Sequence, residues 1–150
     1  MPTEIAANET MVRFGYPDML VLEFEHWVVL LRRHQATLGA LILACREEAT
    51  AFAGISAGAF AELATATRAI EDLLQHAFAY DKINYLMLMM ADPNPHFHVI
   101  PRYAKSVTFE GVAFDDPGWP RIPDMGHATD IGDDTRAALL RTLRDAWPPN

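Results

Sequence analysis

Short runs of apolar residues in the first third of the chain predict three β-strands. Residues 19–24 and 27–32 are rich in large and β-branched side chains, and the polar pair Glu25-His26 between them predicts a tight turn. Residues 39–44 form a third run of strand length, although their Ala and Leu content also permits a helix. The segment before these strands, residues 1–18, is interpreted as a loose lead-in.

The clearest helix is predicted over residues 56–80, where apolar side chains recur at three- and four-residue steps. Ser56 is the predicted N-cap, because its hydroxyl can accept a hydrogen bond from a backbone N–H of the first turn. The predicted inner face consists of Phe60, Leu63, Thr67, Ile70, Leu74, Ala77 and Phe78.

The second half of the chain predicts two more strands and a short helix. Residues 82–90 form an apolar run interpreted as a central strand, and residues 96–103 are expected to pair with it in an antiparallel manner. Residues 110–132 are rich in Gly, Pro and Asp and predict a long loop. A final helix is expected to be capped by Asp133 or Asp134. Its predicted inner face consists of Leu139, Leu140, Leu143 and Trp147.

Strands grouped around one long helix predict an α+β domain with an antiparallel sheet, rather than a doubly wound one. The length of 150 residues fits a single domain over residues 1–150. The predicted core covers about residues 20–104, and residues 105–150 add the loop and the C-terminal helix.

Charge and cysteine content narrow the range of partners. The chain carries 12 Lys and Arg against 20 Asp and Glu, and this net charge of −8 argues against binding a nucleic-acid backbone. The net negative charge does not exclude a small anionic ligand in a locally basic pocket. Cys45 is the single cysteine, which excludes an internal disulfide and a Cys-rich zinc site. We expect a cytoplasmic protein without a membrane segment, because no apolar run approaches the length of a membrane span.

The segment 92–103 carries the candidate chemistry. His96 and His98 are two residues apart, so a strand places both imidazoles on one face, with Phe97 on the other. One neutral imidazole can attack a phosphate while its neighbour donates a hydrogen bond or a proton to a phosphate oxygen. Such a pair is also compatible with ordinary strand histidines or with a metal site. A metal site needs further ligands, and the remaining histidines show no compelling spacing.

The sequence around these histidines resembles the signature of the histidine triad family, in which histidines alternate with apolar residues and Pro-Arg often follows. The match is Asn94-Pro95-His96-Phe97-His98-Val99-Ile100-Pro101-Arg102, with Asn94 in place of the first histidine. The segment Asp81-Lys82-Ile83-Asn84-Tyr85 before it resembles bacterial members.

The resemblance implies a nucleotide hydrolase or nucleotidyl transferase that acts at an α-phosphate. His96 would be the nucleophile that forms a nucleotidyl-histidine intermediate, and His98 would contact the phosphate and assist the leaving group. Asn94 would support the nucleophile through its carbonyl and contact the nucleotide or phosphate. Asn84, which matches a family asparagine, and Arg102, whose guanidinium could neutralise a phosphate, would also contact the nucleotide or phosphate. An alternative is a nucleotide-binding module with weak or no turnover.

The substrates implied by the resemblance are dinucleoside polyphosphates, diadenosine polyphosphates first, or nucleoside phosphoramidates. No cofactor is expected, although Mg²⁺ could accompany a polyphosphate. The resemblance also implies a homodimer. Met87, Met89 and Met90 are interpreted as core or dimer interface, and Asp115 and Asp116 as part of a solvated turn.

Overall fold

The computed structural model describes residues 6–148, which form a mixed α+β domain. The elements are α1 (Glu9–Arg13), β1 (Leu20–Glu23), β2 (Trp27–Leu31), β3 (Leu41–Cys45), α2 (Ala57–Phe78), β4 (Lys82–Leu86), β5 (His96–Arg102), β6 (Val107–Phe109), β7 (Val112–Phe114) and α3 (Asp133–Asp145). The predicted fold class, with its five-stranded antiparallel sheet, long helix and C-terminal helix, is confirmed.

The main sheet has the strand order β1-β2-β3-β5-β4, and every neighbouring pair is antiparallel. The prediction of a central strand over residues 82–90 is wrong in two respects. The strand ends at Leu86, and further along Met89 adopts a positive φ of 51°, which strand backbone does not allow. It also lies at the edge of the sheet, since β5 returns between β3 and β4.

Helix α2 covers one face of this sheet. As predicted, the hydroxyl of Ser56 caps the helix by accepting a hydrogen bond from the N–H of Ala59. The indole N–H of the fully buried Trp27 donates to the Ala59 carbonyl at 2.7 Å and so ties β2 to the helix. Phe60 was expected on the inner face but is 41% exposed. The face that is buried consists of Ala59, Ala66, Ala69, Ile70, Leu73 and Leu74.

The N-terminal segment is ordered where a loose lead-in was expected. Asn8 caps α1 by accepting a hydrogen bond from the N–H of Met11. Its amide group also donates to the carbonyls of Cys45 and Glu47, at 2.8 and 2.9 Å. These bonds hold α1 against the end of β3, on the face of the sheet opposite α2.

The C-terminal third also differs from the prediction. The loop expected over residues 110–132 begins inside a hairpin of β6 and β7, whose Gly111 supplies the positive φ at the turn. Gly132, rather than Asp133 or Asp134, is the N-cap of α3, and both aspartates lie in its first turn. Leu139, Leu140 and Leu143 are buried, as predicted. Across residues 6–148, no helix combines the length and the apolar character needed to span a membrane.

Candidate active site

Strand β5 places the two histidines side by side. Their ring centroids are 5.3 Å apart and the ring planes are inclined by 71°. Phe97 lies on the opposite face of the strand, where its ring packs against that of Trp27. His96 is only 2% exposed, whereas His98 is partly exposed. The prediction that both imidazoles share one face is therefore confirmed.

The hydrogen-bond partner of His96 shows which nitrogen of its ring carries the proton. Nδ1 of His96 lies 2.8 Å from the backbone carbonyl oxygen of Asn94. A carbonyl oxygen can only accept a hydrogen bond, so Nδ1 carries the proton and donates it. In the neutral ring Nε2 is then unprotonated, which leaves its lone pair available as a nucleophile or base.

Asn94 is itself held rigidly. It is 3% exposed, and its backbone N–H donates to the hydroxyl of Thr10 at 2.9 Å. Its side-chain oxygen accepts a hydrogen bond from the N–H of Thr10 at 3.3 Å, and its amide nitrogen donates to the Ala49 carbonyl at 3.0 Å. These contacts occupy the Asn94 side chain, while its backbone carbonyl accepts the hydrogen bond from His96.

His98 has the opposite tautomer. Nε of Arg32 lies 3.3 Å from Nδ1 of His98, and a guanidinium can only donate. Nδ1 of His98 is therefore the acceptor, and the ring proton is on Nε2. Burial first, then the charge of Arg32 and the neighbouring His96, lower the pKa of His98 to about 4, although Asp92 acts in the other direction. His98 is thus neutral at physiological pH and offers an N–H donor.

Phe14, at the end of α1, covers both imidazoles. Its ring centroid lies 5.4 Å from that of His96 and 5.9 Å from that of His98. Sequence analysis missed Phe14 together with Thr10 and Arg32. The only local signal was Asn8, a favoured N-cap residue, which could have indicated α1. Nothing local identified Arg32, which reaches His98 only through the pairing of β2, β3 and β5.

Arg102 and Asn84 lie on the same face of the sheet as His98 but further along the strands. Asn84 pairs with Ile100, whereas Leu86 pairs with His98. The Arg102 guanidinium donates to Asn84 at 2.8 Å, to the Arg121 carbonyl at 2.7 Å and to both carboxylate oxygens of Asp116 at 2.7 and 2.9 Å. The structure brings these two residues together but does not bring them into contact with the histidines.

The interpretation of Asp116 as part of a solvated turn is wrong. Its side chain is 1% exposed, and that of Arg102 is 4% exposed. The Asp116 carboxylate also accepts a hydrogen bond from the N–H of Tyr103. Asp115 beside it is exposed, as expected. The buried pair fastens the segment after β7 to the end of β5.

A candidate metal-ligand group lies away from the histidine pair. In the part of the chain that the structure describes, the ligand atoms of Glu25, His26 and Glu62 lie within 4.8 Å of one another. Neither His96 nor His98 belongs to such a group of three within those residues.

Comparisons with known proteins identify the fold. No family model matches the sequence, and no curated protein is significantly similar to it. A histidine triad protein from Sinorhizobium meliloti is 19% identical with a TM-score of 0.71, over 95% of this chain and 96% of that chain. One from Marinobacter aquaeolei is 20% identical with a TM-score of 0.71, over 94% of each chain.

A third similar structure is a hypothetical histidine triad nucleotide-binding protein from Sulfolobus tokodaii. It is 16% identical with a TM-score of 0.65, over 85% of this chain and 82% of that chain. The likeness to these structures extends over most of the chain. This protein therefore has the histidine triad fold.

Proposed function

We propose that this protein is a histidine triad nucleotide hydrolase or nucleotidyl transferase that uses His96 as its nucleophile. The observation that carries the proposal is the complementary protonation of the histidine pair. Asn94 leaves the Nε2 lone pair of His96 free, while Arg32 leaves a proton on Nε2 of His98. A nucleophile therefore stands beside a hydrogen-bond donor, as displacement at phosphorus requires.

In the first step, Nε2 of His96 attacks the α-phosphorus and the bond to the leaving group breaks. The leaving group departs with its electron pair and takes a proton from water or from a group of the substrate. The imidazole gains positive charge as the N–P bond forms. That charge strengthens the hydrogen bond from Nδ1 to the Asn94 carbonyl, which stabilises the intermediate. The N–H of His98 stabilises the negative charge on a phosphate oxygen.

In the second step, water or another acceptor attacks the same phosphorus, the N–P electron pair returns to Nε2 of His96, and the proton of the attacking oxygen passes to solvent. The mononucleotide or its conjugate leaves, and His96 returns to its starting form. Two displacements through a side chain divide one difficult reaction into two easier ones.

The proposed substrates are dinucleoside polyphosphates, diadenosine polyphosphates first, and nucleoside phosphoramidates. The similar structure from Sulfolobus tokodaii is described as a hypothetical nucleotide-binding protein, which supports a nucleotide ligand. The mechanism needs no cofactor of the protein's own, and Mg²⁺ would enter with a polyphosphate substrate.

The test is the release of AMP from diadenosine tetraphosphate and from adenosine phosphoramidate, with wild type and His96→Ala in parallel. We expect release by wild type and a loss of at least about 10³-fold in the variant, because the covalent route is removed. His76→Ala is the matched control, since it removes an exposed imidazole from α2. Mass spectrometry after rapid quenching should detect one added nucleotidyl group on wild type.

Equal rates for wild type and His96→Ala would contradict the role of His96. If wild type bound AMP, seen as an increase in melting temperature, but released none from either substrate, the protein would be a nucleotide-binding module. The cover of Phe14 over a nearly buried His96 is the observation that favours this second candidate.

We also propose that the protein forms a homodimer through the free edge of β4. Among residues 6–148, this strand has a sheet partner on one side only. Beside it is a groove of about 730 Å³, lined by its residues together with Arg102 and residues 119–123. Three large apolar side chains at or beyond this edge are exposed: Leu88 by 51%, Met90 by 89% and Ile122 by 83%. A free strand edge with exposed apolar side chains in the segments outside it favours pairing with another chain.

Light scattering coupled to size exclusion tests the dimer. We expect twice the chain mass for wild type and the single mass for Ile122→Asp. Val12→Asp is the control, because Val12 is 58% exposed on α1, outside this groove. A single mass for wild type at high concentration would contradict the homodimer.

A further inference from the structure

A small basic cavity adjoins the histidine pair. It has a volume of about 190 Å³ and is lined by Arg13, Phe14, Arg32, Arg33 and His34. Two of its walls belong to the candidate active site, because Arg32 bonds to His98 and the Phe14 ring covers both imidazoles. The cavity therefore shares two wall residues, Phe14 and Arg32, with the surroundings of the histidine pair.

Two of the guanidinium groups at this cavity have no carboxylate in ion-pair contact within the described residues. Among residues 6–148, no carboxylate oxygen lies within 4.0 Å of the Arg32 or Arg33 guanidinium. Arg13 is different, because Glu9 and Asp92 flank it at 3.4 and 3.2 Å. Within residues 6–148, this cavity thus has two guanidinium groups without an ion pair, in a chain whose net charge is −8.

Arg32 is also partly withdrawn from water. Its Nη1 donates to the carbonyl of His34 at 2.6 Å, and its Nε donates to His98. Burial lowers the pKa of Arg32 from its ordinary value. These neutral acceptors orient the guanidinium but leave its charge uncompensated, which is costly in a poorly hydrated position. An anion in the cavity would supply the missing charge.

We propose that this cavity is an anion subsite that binds a second phosphate group of the substrate, next to the phosphate attacked by His96. The inference rests on the proposed function and deepens it, because it selects substrates with two phosphates over those with one. Planar guanidinium groups suit phosphate oxygens, to which they can donate two parallel hydrogen bonds. The contact between Arg32 and His98 places the two phosphate positions side by side.

Two sources could supply this phosphate. In a polyphosphate chain it would be the group after the attacked phosphorus, whereas in a ribose phosphate it would be attached to a sugar hydroxyl. Calorimetric titrations with AMP, ADP and adenosine 3′,5′-bisphosphate distinguish them. We expect ADP or the bisphosphate to bind about tenfold more tightly than AMP, since hydrogen bonds to charged groups are strong. The preferred ligand identifies the source, and its advantage should shrink as salt increases.

Arg33→Gln is the informative variant, because Arg33 is exposed and its loss leaves the contact of Arg32 with His98 in place. It should abolish most of the tenfold advantage of the second phosphate. Arg68→Gln, at an exposed position of α2, changes the charge equally and should keep the advantage. The inference is overturned if AMP binds wild type as tightly as both diphosphorylated ligands, or if Arg33→Gln retains the preference.

Inorganic pyrophosphate separates failure of this inference from failure of the proposed function, since it contains no nucleoside. Binding of pyrophosphate to wild type and its loss in Arg33→Gln would support the anion subsite even if AMP did not bind. If the protein bound AMP and turned over its substrates but did not bind pyrophosphate, the proposed enzymatic function would stand and the anion subsite would be overturned.

Discussion

The backbone carbonyl of Asn94 accepts a hydrogen bond of 2.8 Å from Nδ1 of His96. Any residue type can provide this carbonyl, so the replacement of a motif histidine by asparagine preserves the contact that orients the proposed nucleophile. The Asn94 side chain then has a different task. Its bonds to Thr10 and Ala49 fix the turn from which the carbonyl points.

Thr10→Val should reduce the reactivity of His96, the proposed nucleophile, although Thr10 contacts Asn94 rather than His96. The substitution keeps the shape of the side chain but removes the hydroxyl that accepts the Asn94 N–H. A buried N–H left without a partner costs about 1–3 kcal/mol, so the free energy of unfolding should fall by that amount. If Asn94 positions His96, kcat should fall more than KM rises, which kinetics with adenosine phosphoramidate would measure.

Thr10→Ser retains the hydroxyl and should restore both stability and kcat. Thr65→Val, at an exposed position of α2, controls for the gain of a valine. A Thr10→Val enzyme that is destabilised yet keeps its kcat would show that Thr10 has only a structural role.

His98 should make stability dependent on pH. Its pKa is about 4 in the folded chain, against an ordinary value of 6.5. Between these values the unfolded chain binds more protons than the folded chain, so stability rises with pH across this window. Acidification from pH 6.5 to 4 should therefore reduce the urea midpoint, and below pH 4 this contribution is constant.

His98→Asn removes the titrating group, so the urea midpoint of this variant should change less between pH 6.5 and 4 than that of wild type. His76→Asn, which removes an exposed imidazole, should keep the wild-type slope. The interpretation fails if the slopes of wild type and His98→Asn are the same, because carboxylates would then account for all of the acid dependence.

Asp116→Asn should be strongly destabilising. The substitution leaves the buried Arg102 guanidinium without its counter-charge, and breaking a buried ion pair on one side costs about 3–5 kcal/mol. Asp115→Asn is the matched control, because the neighbouring carboxylate is exposed. Urea denaturation should show a large loss for Asp116→Asn only, and similar midpoints for both variants would contradict the role of the pair.

Gly39→Ala should destabilise the fold more than Gly111→Ala does. Both glycines have positive φ, of 86° and 75°, where an alanine is strained by about 1–2 kcal/mol. An added Cβ at Gly39 would also come within 3.0 Å of the Phe78 ring on α2, whereas the space at Gly111 is open. The difference between the melting temperatures of the two variants measures the effect of the contact with Phe78. Equal decreases in melting temperature would show that the Phe78 ring moves aside without cost.

Local patterns were sufficient for the elements whose signal lies within a few residues. Helix α2 followed from the three- and four-residue spacing of its apolar side chains and from Ser56 as its cap. The shared face of His96 and His98 followed from the alternation of side chains along a strand. Predictions failed where long-range pairing overrides local composition. The apolar run after Lys82 became an edge strand because β5 occupies the position beside β3.

The amino-acid sequence by itself determined the α+β class, the long helix and the pair of imidazoles on one strand, because each depends on contacts between near neighbours. Only the tertiary structure decided which nitrogen of each imidazole carries the proton. Arg32, next to the end of β2, meets His98 across 66 residues of chain, and Thr10, which holds the Asn94 backbone beside His96, meets Asn94 across 84 residues. Hydrogen bonds over such separations have no local signature, since they depend on strand order and on where α1 packs.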